Sequence, residues 1–213
     1  MTRLRQHRIG RRTGATVSAG LALLAISAIA PVSANAAACT QTIRGPHTGV
    51  LNVAGNQKLC LRNAVQNGAV NVAPNGGLSV INSTITGAVT LKDGYTEFEF
   101  CGSKTVRGAI SATGGKTAVV IGRTGLLGGL ACPANTIDGA VTLNANKAGV
   151  TLARNQIAGA VTASANLRGT TISGNTVGGA LTCTTNNPPP TNAGVRNVVG
   201  GGRSGQTCAV LTF

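Results

Sequence analysis

A four-residue phrase returns along this chain with a period near twenty. Gly-Ala-Val-Thr or a close variant appears as GVLN at 49, GAVN at 68, GAVT at 87, GAIS at 108, GAVT at 139 and 159, and GALT at 179. The intervals are 19, 19, 21, 31, 20 and 20 residues, and seven such copies are the signature of a solenoid. The one long interval marks an insertion, placed within 125–134.

The columns of the repeat say which solenoid. Its third position holds Leu51, Val70, Val89, Ile110, Val141, Val161 and Leu181, and its fifth holds Val53, Val72, Leu91, Ala112, Leu143, Ala163 and Cys183. Between them stand short polar residues: Asn52, Asn71, Thr90, Ser111, Thr142, Thr162 and Thr182. An apolar–polar alternation with a period of two is a strand with one face inward, so each copy carries a short strand. A second alternating segment follows about ten residues on, as in Val150 and Leu152, Thr170 and Ile172, or Phe98 and Phe100. A third is marked by Ile85, Val106, Ile137, Ile157 and Val177, two residues before each glycine. Three short strands per repeat, separated by Gly and Asn, predict an all-β, single-domain parallel β-helix of about seven rungs over 37–183. Asn135, Asn155 and Asn175 recur at one turn, where Asn tolerates left-handed backbone and stacked amides can bond from rung to rung.

The first 36 residues have the layout of a secretory leader: five arginines, an apolar stretch from Ala19 to Ala30, and a small-x-small site at Ala34-Asn35-Ala36. Arg11-Arg12 as a twin-arginine signal and Ala36 to Cys39 as a lipid-attachment box are the alternatives, and both lack the rest of their patterns. No later apolar run is long enough for a membrane span. Removing the leader leaves thirteen Lys and Arg against four acids, a charge of about +9, which favours anionic wall polymers or acidic polysaccharide at an extracellular or wall-associated location. The positive residues stand singly, with no basic block. One Tyr, three Phe and no Trp offer little for stacking bases, so specific nucleic-acid binding is not expected.

Six cysteines in an exported chain predict three disulfides, and their order along the chain predicts Cys39 with Cys60, Cys101 with Cys132, and Cys183 with Cys208. They lack zinc spacing, and no metal or cofactor is expected. The outer pairs would staple the two ends, with 184–213 as a C-terminal cap because the proline run after Thr184 cannot extend a strand ladder.

The tail GALTCTTNNPPPTNAGVRNVVGGGRSGQTCAVL, preceded by GNTVGG, resembles the end of a group of secreted actinobacterial proteins that are similar to right-handed parallel β-helix proteins. The resemblance implies that fold, its right-handed winding, and export. It implies no activity.

Catalytic residues are scarce. The carboxylates are Asp93, Glu97, Glu99 and Asp138. Glu97 and Glu99 lie about 7 Å apart on one strand face, near the spacing of paired glycosidase carboxylates. Without an apolar surround or neighbouring acids they form a solvated strand face, with a polysaccharide lyase or glycosidase as the alternative. His47, in RGPHTG, is the mature chain's one histidine and is expected on a surface loop. The outward column Thr90, Ser111, Thr142, Thr162 and Thr182 is the most regular exposed feature, suited to strand propensity and to repeated hydroxyl contacts. The reading that follows is a secreted, non-enzymatic structural or binding protein, monomeric or weakly self-associating.

Overall fold

The structure is a computed structural model and describes residues 38–105, 107–122 and 132–213; the leader, Val106 and most of the predicted insertion lie outside it. The described residues form a β-solenoid of parallel strands. One sheet has eight strands, running from Leu51–Val53 through Val70–Val72, Val89–Leu91, Ile110–Thr113, Val141–Asn144, Val161–Ser164 and Leu181–Thr184 to Arg203–Ser204. The other has thirteen strands and bends at Lys58–Asn67, whose first half pairs with Gly77–Ile81 and whose last residues pair with Thr84–Ile85. The coil therefore has three faces. The eight-stranded sheet is one; a second contains Glu97–Cys101, Val119–Gly122, Val150–Ala153 and Thr170–Ser173; a narrow third is built from two-residue strands such as Gln156–Ile157 and Thr176–Val177.

The repeat columns become stacks. Val70, Val89, Ile110, Val141, Val161 and Leu181 stand in register, and all are buried. Phe98, Val119 and Val150 do the same from the second face, and Ile137, Ile157 and Val177 from the third. Each aliphatic contributes roughly 1.5 to 3 kcal/mol relative to exposure. That gain exists only because the rungs above and below cover it. At the head of each repeat the backbones touch: a Cβ on Gly139 would sit 2.4 Å from Gly108 O, and one on Gly159 would sit 2.6 Å from Ala140 N. Glycine is the residue that lets consecutive rungs close at this corner.

All three disulfides join the predicted partners. The C-terminal boundary differs from the expectation. The coil runs past residue 183 for another turn: Asn187 N donates to Asn166 O, Thr191 N to Thr170 O, and Val198–Val199 and Arg203–Ser204 pair with the preceding rung. Prolines 188–190 supply no donors, so Leu167 and Thr171 meet this rung through isolated bridges, and the coil bypasses the run without breaking. The closing elements are the short 3-10 helix Gln206–Ala209, the buried Cys183–Cys208 bridge and the buried Phe213.

The asparagines also differ from the expectation. Asn135, Asn155 and Asn175 are not the left-handed residues of their turn; at two of these rungs that conformation falls one position earlier, at Arg154 (φ 55) and Gly174 (φ 63). This frees the amides to point inward and stack. Asn175 Oδ1 accepts from Asn155 N at 2.9 Å and Asn155 Nδ2 at 2.8 Å, while its Nδ2 donates to Leu152 O and Asn197 Oδ1. The ladder runs from Ser83 and Ser103 through Asn135, Asn155 and Asn175 to Asn197, which ends on Phe213 O. A parallel ladder at another corner starts at Tyr95 and runs through Asn146, Asn166 and Asn186 to Gln206.

Candidate functional site

Glu97 and Glu99 project from one side of Glu97–Cys101 while Phe98 and Phe100 fill the coil. They are not a solvated pair. Both are half-buried and held from earlier rungs: Lys58, two rungs back across Gly77, places Nζ 2.6 Å from Glu97 Oε1, and Ser79 Oγ on the adjacent rung donates to Glu99 Oε2 at 2.6 Å. Lys58 and Ser79 are themselves buried, beside the Cys39–Cys60 bridge in the first rungs. The ion pair and the hydrogen bond tie strand Glu97–Cys101 to the two rungs before it. Among the described residues no three of His, Cys, Asp or Glu come together as a metal site would require.

His47 also departs from its expected loop. It is half-buried in strand Gln41–Thr48, with Nδ1 2.7 Å from Gln66 Oε1. Gln66 Nε2 donates to Gly49 O, so Gln66 Oε1 is the acceptor and His47 Nδ1 carries the proton. The histidine thus ties the first turn of the coil to the second. Among the described residues no helix is long and apolar enough to cross a membrane.

The outward column stands in register as Thr90, Ser111, Thr142, Thr162 and Thr182, continued by Asn52 and Asn71 before it and by Ser204 after it. The residues on it are small and uncharged. Some bond along the coil, as Asn71 Nδ2 to Asn52 Oδ1 at 3.1 Å and Thr182 Oγ1 with Ser204 Oγ at 3.0 Å.

At the edge of this face, the structure gathers charges that are far apart in the chain. Lys92, Lys116, Lys147 and Arg168 lie on four consecutive rungs at the turn that leaves the eight-stranded sheet. Lys116 N donates to Tyr95 O, Lys147 N to Gly115 O and Leu167 N to Asn146 O, which stacks these turns on one another. All four side chains are exposed. Lys116 Nζ reaches Asn75 Oδ1. The acid on this edge is Asp93, 4.0 Å from Lys147 Nζ, an exposed pair that neutralises little. The turn keeps its shape from inside, where Tyr95 is buried and its hydroxyl donates to Asn146 Oδ1 at 2.7 Å. Burial without a charged partner pushes the Tyr95 phenol well above its ordinary range.

This cationic edge escaped sequence reading because its members are 24, 31 and 21 residues apart and look scattered. Counting from the repeat glycines would have exposed three of its members, though not Lys92, which is fifth after Gly87. Lys116 and Lys147 are each eighth after Gly108 and Gly139, and Arg168 is ninth after Gly159. Comparison of the chain with protein-family models, with curated proteins and with solved structures found no match.

Proposed function

We propose that this protein is an exported, non-enzymatic β-solenoid that binds anionic polymers at the cell surface or wall, with the cationic edge as its contact. The observation that carries this reading is the stacking of Lys116, Lys147 and Arg168 on consecutive rungs, with Lys92 beside them at the end of the preceding rung's strand and Asp93 the acid among them. Single exposed lysines bind polyanions weakly. Four gathered along one edge act together, because the first contact holds the rest of the polymer near the others. The leader-like first 36 residues and the three disulfides support an oxidising, extracellular location. The engagement of Glu97 by Lys58 and of Glu99 by Ser79 supports a non-catalytic role for the acidic strand.

The test is retention on purified cell wall and on acidic polysaccharide beads at rising ionic strength. The protein is retained at low salt and released by screening, while the variant Lys92→Gln/Lys116→Gln/Lys147→Gln/Arg168→Gln elutes at clearly lower salt. No retention of the wild-type protein at low ionic strength would remove the proposal.

A further inference from the structure

The polymer itself can be specified further, on the assumption that the binding reading holds. We infer that the ligand is an acidic polysaccharide that lies along the coil axis, with its carboxylates spaced over the cationic edge and its hydroxyls on the polar residues that flank it.

The direction follows from the rungs. Parallel strands stack about 4.8 Å apart, so the edge offers a cation at each of four steps over about 14 Å along the axis, the first of them, Lys92, offset toward the eight-stranded face. A chain crossing the coil meets one or two of these charges, whereas a chain lying along it meets all four. Lysine supplies three of them as mobile point charges, and Arg168 supplies a planar fork suited to a carboxylate.

The class follows from what borders the edge. On the eight-stranded face Thr113, Asn144 and Ser164 stand in register and half-exposed, with Ser164 Oγ donating to Asn144 Oδ1 at 2.9 Å. On the other side lie Thr96 and the exposed Thr117, whose hydroxyl donates to Thr96 O. Rows of hydroxyl and amide groups beside a row of cations match a polymer that carries hydroxyls beside each anion. A bare phosphate chain leaves these rows unused. A nucleic acid would need rings to stack on, and Tyr95, Phe98, Phe100 and Phe213, which are all the aromatic residues of the chain, are buried. The same lack of exposed rings makes recognition depend on charge and hydroxyl contacts together.

Calorimetry with the full mature protein tests this, using polygalacturonate, galacturonate oligomers of two and of six units, and a polyphosphate of matched charge. The key variant relocates one charge without changing the total: Lys147→Gln with Thr171→Lys, which places the cation on the outward column of the second face. The hexamer is expected to bind at least tenfold tighter than the dimer, the relocated variant to lose at least fivefold, and Asp93→Asn to gain about threefold. The polyphosphate is expected to bind more weakly than the uronate polymer. If the relocated variant binds like the wild type, or if polyphosphate binds as tightly as polygalacturonate, the inference falls while polyanion binding stands. If no polyanion binds at low salt, the underlying reading falls with it.

Discussion

Each polar atom of the Asn175 side chain has a partner in another rung: two donors engage Leu152 O and Asn197 Oδ1, and the oxygen takes two donors from Asn155. An amide has the right number of donors and acceptors to do this in a dry interior, and a carboxylate or hydroxyl does not. Replacing Asn175 with Leu strands the Asn155 N–H and the Leu152 carbonyl, each costing about 1–3 kcal/mol when buried. Asn175→Leu should therefore lower the unfolding free energy by about 2–5 kcal/mol in denaturant titrations. Tyr95 gives a second test at this scale, since it is the chain's single tyrosine. Its folded-state pKa is raised by burial, so above about pH 10 the unfolded chain releases a proton that the folded one keeps. The stabilisation tied to this group is complete below that pH and is lost as pH rises towards the folded value. Phenolate absorbance should stay flat through pH 10 and rise only together with loss of the β signal in circular dichroism. A titration near pH 10 with the fold intact would contradict the buried phenol.

At the scale of the element, the glycine that opens each repeat fits where no Cβ does. A methyl on Gly159 meets Ala140 N and Gly139 backbone atoms at 2.6 to 2.7 Å, whereas one on Gly202 meets nothing within 4 Å. Gly159→Ala should cost about 1–3 kcal/mol, and Gly202→Ala should be neutral or stabilising by up to about 1 kcal/mol, both read from denaturant midpoints. These strands were legible in the chain because alternation survives wherever a side chain chooses between core and solvent, as at Val161, Thr162 and Ala163. The turns were less legible because their side chains obey no such alternation. Asn146, Asn166 and Asn186 form a full ladder yet look like any loop asparagine, and prolines 188–190 look like an end although the coil continues past them. The cationic edge is a turn feature too, hidden further by the longer interval before Gly139.

The described residues of 38–213 form a stack of rungs with protected ends. Strand Gln41–Thr48 at the first rung carries Arg44 and Pro46, residues that discourage another strand from adding, and Cys39–Cys60 ties it down. Cys183–Cys208 and Phe213 close the other end. Such a stack converts a repeat in the sequence into a ruler, so that residues roughly twenty apart become neighbours about 4.8 Å apart. This ruler stacks Lys116, Lys147 and Arg168, with Lys92 beside them, against one polyanion. The salt dependence of polygalacturonate affinity measures that most directly, because the slope of log affinity against log salt counts the cations engaged. The wild-type slope should be about −3, from four contacts at roughly −0.7 each, and the fourfold glutamine variant should lose nearly all of it. Equal slopes for the two proteins would show that the edge is not the contact.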